Sequence, residues 1–452
     1  MNILIINGSP KGKYSTTLQT SLYLEILHPE HSFSYLNAAQ QIKSLEIDFS
    51  SASSLIENAD LIIFSYPVYT FLVPSQLHRF IELLKEHRIN LSGKYVTQIT
   101  TSKHFYDITA HNFIRENCQD LGLKYIKGLS ADMDDLTCEK GQADAQSFFD
   151  YALWCIKNDI FESCSTHTIP FTKVPAHIPE CKSEKSGDVV IVTDLADDDE
   201  ALSNMILRFR AVCAQNTRIV NLAHFNFKGG CISCFNCVSD GTCIYNDGFS
   251  DLLRNNIQTA DAIVIAFSIK DHSMGSRFKT YDDRQFCNGH RTVTMGLPFG
   301  YIVSGNLSQE NNLRTVIEAR AEVGGNFLAG IATDEFSTDE EIDSLAAKLD
   351  YAIEHKYCQP SNFYGVGGMK IFRDLIWLMQ GMMRADHKFY KEHSQYDFPQ
   401  KKMGTMLAMY GAGYLFSNKK LKAKLGSKLN DGMIASYTKV LDQARKDMAA
   451  KN

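Results

Sequence analysis

In "KGGCISCFNCVSDGTC", residues 228 to 243, four cysteines stand in the spacing C-x2-C-x2-C-x5-C: Cys231, Cys234, Cys237 and Cys243. Thiolates packed this closely along a chain are ligands for a thiophilic metal or cluster. Structural zinc sites usually take two separated pairs, so that four sulfurs can close a tetrahedron. Three cysteines in successive x2 steps wrap instead around three corners of a cubane, and a nearby residue reaches the fourth. The spacing puts a [4Fe–4S] cluster first, with zinc, or free and redox-active thiols, as the alternatives. The chain holds 12 cysteines and opens on "MNILIINGSPKGK", which reads as a buried strand and not as a signal peptide. That combination fits a reducing cytoplasm better than a disulfide framework.

A second set of chemically useful residues lies near the N-terminus. "NGSPKGKYSTT" places Gly8, Ser9 and Pro10 in a tight turn after an apolar run, with Ser15, Thr16 and Thr17 opening the next helix. Small residues let backbone approach an anion, while hydroxyls and free helix N–H groups donate to it. Lys11 or Lys13 adds charge. The spacing is neither a Walker loop nor G-x-G-x-x-G, and an ordinary polar loop with an N-cap is the plainer alternative. Further on, "SYPVYTFLVPSQLHRFIE" offers Pro67, Val68, Tyr69 and Phe71 as a flat apolar and aromatic surface suited to an isoalloxazine ring. Tyr69, His104 and Tyr106 are candidate proton donors, and no acid–base constellation stands out.

The elements needed to position these groups are legible as alternation. Short, wholly apolar runs (2–7, 59–70, 94–102 and, more weakly, 123–130) are separated by helical patterns. Such runs imply a parallel sheet covered on both faces, and ligands in that architecture sit beyond the carboxyl ends of the strands. A proline-bearing, aperiodic stretch reads as a linker. The alternation then restarts at "DVVIVTD" (188–194), "RIVNL" (218–222), "ADAIVIAFS" (260–268), "TVTMGLPFGYIVSG" (292–305) and "NFLAGIATDE" (326–335). The expected plan is α/β: two tandem doubly wound parallel-sheet domains at 1–163 and 188–355, a linker at 164–187 and a helical C-terminal extension at 356–452.

"GSPKGKYSTT" followed by "PVYTFLVPSQLHRF" resembles the NAD(P)H-dependent FMN reductases of the flavodoxin-like fold, over about residues 1–163. The resemblance implies that Ser9, Lys11, Ser15, Thr16 and Thr17 hold the FMN phosphate. It also implies that Pro67, Val68, Tyr69, Thr70 and Phe71 face the ring, and that Thr101 and Ser102 touch its edge. The cysteine motif followed by "DGFSDLLRNNIQTADAIVIAFS" resembles the iron–sulfur flavoproteins, over about residues 187–350. Together they imply an FMN-dependent NAD(P)H oxidoreductase with an accessory [4Fe–4S] cluster. Its donor would be NAD(P)H or a ferredoxin, and its acceptor a small molecule or a protein. A non-enzymatic flavin and iron–sulfur carrier, and a zinc-stabilised binding module, are the competing classes.

The two halves are not equivalent. The first βα loop of the second half, "TDLADDDEALS", sets Asp194, Asp197, Asp198, Asp199 and Glu200 where a phosphate would sit, and its ring loop has no Pro-Val-Tyr. Carboxylates there repel a phosphate and compete for the helix N–H donors. The first half has no cysteine between Ser32 and Asp60, where its own cluster loop should be. The expectation is an intrachain pseudo-dimer in which one half keeps FMN and the other keeps the cluster, the two meeting across a pseudo-twofold interface. A homodimer of the whole chain is left open.

In the tail, 362–393 reads as an amphipathic helix with Ile371, Phe372, Leu375, Ile376, Met379, Met382 and Met383 on one face. Docking on the preceding domain is the leading expectation for it, ahead of a lid or dimer interface. Membrane-surface contact through the basic stretch 418–429 is given least weight. A net charge of -6 gives no case for a nucleic-acid partner.

Overall fold

The computed structural model describes residues 1–163, 170–181, 185–238, 240–417, 438–447 and 449–450. The basic stretch 418–429 lies outside the described residues. The chain divides into two compact units, Met1–Tyr390 and Lys391–Asn452.

The first unit contains two parallel sheets. The first is built from β1 (Asn2–Asn7), α1 (Thr16–Leu27), β2 (Ser32–Leu36), α2 (Ala38–Leu45), α3 (Ser50–Glu57) and β3 (Leu61–Pro67). It continues with α4 (Ser75–Glu86), β4 (Tyr95–Ser102), α5 (Asp107–Asp120), β5 (Lys124–Tyr125), β6 (Leu129–Asp132) and α6 (Glu139–Lys157). Strand order is β2-β1-β3-β4-β5, with β6 also on β4. In register, Ile3 pairs with Phe33 on one side and with Leu61 on the other. The apolar runs are strands because both faces are covered: Ile3, Leu4, Ile5, Leu61 and Ile63 are fully buried.

The second sheet repeats the plan. It runs through β7 (Ser186–Thr193), α7 (Glu200–Val212), β8 (Gln215–Asn221) and α8 (Phe249–Asp251), which continues as a π-helix to Ile257. Then come β9 (Ala262–Ser268), α9 (Gly275–Arg284), β10 (Pro298–Ser304), α10 (Asn311–Gly324), β11 (Phe327–Thr333) and α11 (Thr338–His355). Its order, β11-β10-β9-β7-β8, is the same path walked from the other edge. Both sheets have the doubly wound 2-1-3-4-5 order of the flavodoxin-like fold, in which the switch point falls between the first and third strands. No helix among the described residues is long and apolar enough to cross a membrane.

Three local expectations change. The run at 123–130 is not one strand. β5 pairs with Tyr95 and Val96, and β6 pairs with Ile99 to Ser102. Between them Gly128 passes so close to the neighbouring strand that a Cβ would lie 2.4 Å from the Gln98 carbonyl oxygen. The run at 292–305 is a strand only from Pro298, since Met295 and Leu297 close turns onto Thr292 and Thr294. The helix expected over 362–393 is two, α12 (Phe363–Leu378) and α13 (Arg384–Glu392). The break holds Gly381, a weak helix former, and the turn closes through Met382 and Met383 N–H groups on the Met379 carbonyl. The second unit contains α14 (Met403–Ser417).

Equivalent helices pair where the two sheets meet: α4 packs on α9, and α5 on α10. The apolar core of the first half runs on into Val316, Ala319 and Val323 of α10. At the rim, His272 sits between two carboxylates, with Nε2 2.9 Å from Asp120 and Nδ1 3.0 Å from Glu310. Those bonds outweigh burial and lift the imidazole to about 10, while burial lifts the neighbouring Glu116 carboxyl to about 7. A histidine raised above its ordinary value of about 6.5 stabilises fully below that value, and its contribution is lost as pH climbs through about 10. Glu116 acts in the same direction at lower pH, because its charged form is the disfavoured one. The substitution His272→Gln should therefore cost about 2–4 kcal/mol near pH 6. Thermal melts at a series of pH values should show that difference shrinking toward zero by pH 10.

Candidate functional site

The expected phosphate loop is shaped by its own hydrogen bonds. Gly8 N–H donates to the Ser65 carbonyl at 2.9 Å, and Ser9 N–H to Asn7 Oδ1 at 3.1 Å. Ser15 is the N-cap of α1, its Oγ accepting from Leu18 N–H at 3.4 Å. Thr16 Oγ1 lies 3.2 Å and Thr17 Oγ1 2.5 Å from Thr101 Oγ1, fastening the start of α1 to the end of β4. Of these residues Ser9, Lys11, Ser15, Thr16, Thr101 and Ser102 line one cavity of about 530 Å³. Thr17 does not: its side chain is fully buried against the sheet, so its hydroxyl serves packing.

Pro67, Val68, Tyr69, Thr70 and Phe71 form another wall of the same cavity. Tyr69 and Leu72 exchange two backbone hydrogen bonds, of 2.8 and 3.0 Å, around Thr70 and Phe71. Both central residues have positive φ, 41° and 72°. A two-residue turn of this kind favours Asn-Gly, and a β-branched Thr there is strained. The surroundings hold it: Thr109 Oγ1 donates to the Phe71 carbonyl at 2.5 Å and Lys279 Nζ to the Tyr69 carbonyl at 2.8 Å. Strain retained by over-determined contacts is a mark of functional loops.

The cysteine loop follows β8 and faces the same cavity. Cys231, Cys234, Cys237 and Cys243 all line it. Ser233 and Phe235 have positive φ, and Ser233 N–H donates to Cys231 Sγ at 3.4 Å. Burial pushes the thiols of Cys231 and Cys237 up to about 12 and about 11. The two loops touch, with Lys11 Nζ 4.3 Å above the Phe235 ring. Burial lowers the Lys11 ammonium, and Cys231 and Cys234 work against that shift. Gln76 Nε2 on α4 also donates to the Cys231 carbonyl at 3.1 Å.

Sequence reasoning missed several wall residues. Cys287 is buried on the same cavity, and Cys237 Sγ lies 3.3 Å from the Phe286 carbonyl. No spacing pattern links Cys287 to the loop more than forty residues upstream. Arg284 is fully buried, forms a two-pronged pair with Asp247 at 2.9 and 2.8 Å, and packs its guanidinium 4.5 Å from the Tyr245 ring centre. Arg254 and Arg291 donate to carbonyls of Gly241 and Cys287. Arg284 and Arg291 line the cavity beside the four sulfurs. Of the candidate proton donors, Tyr106 donates to the Tyr364 carbonyl at 2.6 Å and His104 pairs with Asp107 at 2.8 Å. Among the described residues, the sets of three possible metal ligands within 4.8 Å are His78–Glu82–Asp271 and Glu116–His272–Glu310; neither includes a cysteine.

The loop opening α7 is built differently. Asp199 caps this helix, accepting from Leu202 N–H at 3.2 Å where Ser15 caps α1. Asp194 is buried, with Lys270 Nζ at 3.5 Å. In the second half a carboxylate thus takes the helix N–H that a hydroxyl takes in the first.

α12, through Ile371, Phe372 and Leu375, and the turn after it, through Met379, Met382 and Met383, complete the cavity wall. Phe372 stacks on Phe105, with centroids 4.3 Å apart. Gly368 on α12 is a close-packing position: a Cβ there would meet Val323 Cγ2 at 2.6 Å and Phe105 at 3.0 Å, whereas one on Gly367 would meet nothing nearer than 3.9 Å.

The fold of both sheets is flavodoxin-like. Residues 1–130 match the family model described as flavodoxin-like fold. An iron–sulfur flavoprotein of Archaeoglobus fulgidus is 25% identical over 177 residues, covering 36% of this chain and 77% of that protein. Similar solved structures include general stress protein 14 of Treponema denticola in complex with FMN, 13% identical over 34% of this chain and 98% of that one, with TM-score 0.29. An FMN-dependent NADH-azoreductase of Bacillus anthracis in complex with FMN is 13% identical, covers 35% and 99%, and has TM-score 0.26.

The glycine contacts give a matched test. Gly367→Ala should raise stability by up to about 1 kcal/mol through helix propensity. Gly368→Ala gains the same propensity but meets Val323 and Phe105, and overpacking costs about 1–3 kcal/mol. Urea denaturation should order the three proteins Gly367→Ala, wild type, Gly368→Ala.

Proposed function

We propose that the chain is an FMN-dependent NAD(P)H oxidoreductase of the cytoplasm carrying a [4Fe–4S] cluster, with electrons passing between the two groups. One observation carries the reading: the switch-point loops of the first half and the cysteine loop of the second line a single cavity. A pseudo-dimer that left the two loops on separate surfaces would not support electron transfer.

The residues fit the groups. Ser9, Ser15, Thr16 and the free N–H groups of α1 suit a phosphate, with Lys11 supplying charge. Pro67 to Phe71 suit the ring face, and Thr101 and Ser102 its edge. Cys231, Cys234, Cys237 and Cys243 would hold the cluster, whose sulfur environment the Ser233 N–H and the surrounding arginines tune. When bound, the flavin supplies hydride acceptance from a nicotinamide and one-electron exchange with the cluster. The apolar wall of α12 excludes water from that exchange. The likeness to a protein named iron–sulfur flavoprotein supports both groups together. The donor is NAD(P)H or a ferredoxin, and the acceptor a small molecule or protein.

Anaerobically purified protein should contain about four irons and one FMN per chain, and NAD(P)H should bleach both absorption bands. Zinc in place of iron would make the chain a binding module; bleaching by dithionite but not by NAD(P)H would make it a carrier. Cys234→Ser should lower iron content while sparing FMN. Ser15→Asp places a carboxylate as in the α7 cap, so helix stability should hold while FMN affinity falls at least about tenfold, read by flavin fluorescence titration.

A further inference from the structure

α4 carries His78 and Glu82 one helical turn apart, and Glu82 meets α9, accepting from Ser276 N–H and Oγ at 2.7 and 2.6 Å. The turn before α9 brings Asp271 to them: one donor atom from each of the three residues lies within 4.8 Å of the others. His78 is fully buried, and neither ring nitrogen has a hydrogen-bond partner. Burial lowers the imidazole to about 4, so the ring is neutral and keeps a lone pair. Buried polar groups without partners are costly and uncommon. Two more border the same turn. Asn117 donates through Nδ2 to the Asp271 carbonyl at 3.1 Å, while its buried Oδ1 is unpartnered. Glu116 Oε2, beside His272, is buried and unpartnered as well.

The charges around this spot do not balance. Arg79 is shared by Glu46, Glu82 and Glu86, Lys85 by Asp120 and Asp271, and His272 by Asp120 and Glu310. Six carboxylates thus share three cations, and Lys279 is already paired with Asp283. Lys85 meets Asp271 through Oδ1, and each carboxylate oxygen has a second lone pair to give. We propose that His78, Glu82 and Asp271 bind a divalent first-row cation that joins α4 of the first half to the β9–α9 turn of the second. One imidazole and two carboxylates suit Zn2+ or Mn2+, with water completing the shell. Donors at about 2.1 Å from such an ion stand about 3–4 Å apart, so the side chains close on it by moving about an ångström. Ser276 and Arg79 orient the Glu82 carboxylate, as partners behind metal ligands do. None of the three donors lines the cavity that the cysteines face, so the site stands apart from the flavin and cluster reading.

Mn2+ tests this without competition from the thiols, which prefer softer ions. The full chain, washed with EDTA, should take up about one Mn2+, read by loss of the free-ion electron paramagnetic resonance signal, and its melting temperature should rise. A nitrogen coupling in the spin-echo spectrum should report the imidazole and vanish in His78→Gln. His78→Gln and Asp271→Asn should each weaken Mn2+ binding at least about tenfold. Asp120→Asn removes a neighbouring charge but no donor, and should weaken it less than about threefold. Cys234→Ser should leave it unchanged. No saturable binding by the folded wild type would mean that water alone fills the site. Binding that outlasts both His78→Gln and Asp271→Asn, or that Asp120→Asn weakens equally, would be diffuse attraction to carboxylates and would overturn the assignment.

Discussion

The arrangement depends on one buried ammonium. Lys279 on α9 is 1% exposed, pairs with Asp283 and donates to the Tyr69 carbonyl of the opposite half. Asp283, fully buried, accepts from Ser75 N–H at the start of α4 at 2.8 Å. Burial alone would drive the lysine down and the aspartate up, each toward its neutral form. Each is the other's compensation, and removing either leaves an uncompensated charge in the contact between halves. The pair spans the strained Thr70–Phe71 turn, the first turn of α4 and the helix after β9. One residue beyond Ser75, Gln76 holds the cysteine loop. The ring-facing loop and the thiols are therefore placed by the same few bonds.

The duplicated backbone makes the divergence of the halves easy to measure. Lys270 and Ser273 close a turn around Asp271 and His272, whose φ values of 52° and 60° reproduce those of Thr70 and Phe71 in sign. The same strained geometry has been put to another use. Asp271 pairs with Lys85 at 2.9 Å and His272 with Asp120, both in the first half. A turn that faces the cavity in one half is an ionic clasp in the other. Its mutual ion pairs fix orientation more than they add stability, since partly buried charges lose hydration as they gain partners.

The parallel-sheet class was legible in the sequence because fully apolar runs admit one environment, and the single restart at 188 showed the duplication. The cavity residues were legible where local chemistry announces itself: hydroxyls at a helix start, Pro-Val-Tyr after a strand, thiols in x2 steps. What stayed hidden was non-local. Cys287 and Arg284 reach the wall because α9 and the segment after it fold back over the cysteine loop, a pairing no spacing encodes. Thr17 misled for the opposite reason, since it shares its motif with Ser15 and Thr16 but lies on the side of α1 that faces the sheet. The split of the helix at 379–383 turned on one glycine within an otherwise periodic pattern.

The tail helix shows what fusion permits that a symmetric dimer does not. In a homodimer every subunit presents both loops, and an extension that covers one cavity must cover its twin as well. Here α12 docks on α10 and on the β4–α5 loop, and its Phe372 reaches Phe105 beside one cavity only. At the α7 loop Asp199 caps the helix through Leu202 N–H and Lys270 pairs with Asp194. Closing the remaining cavity with methionines and phenylalanine lowers the dielectric around the sulfurs and arginines, which strengthens each charge interaction there. The different caps of α1 and α7 and the cover on one side are thus both open to a chain whose two sheets need not be identical.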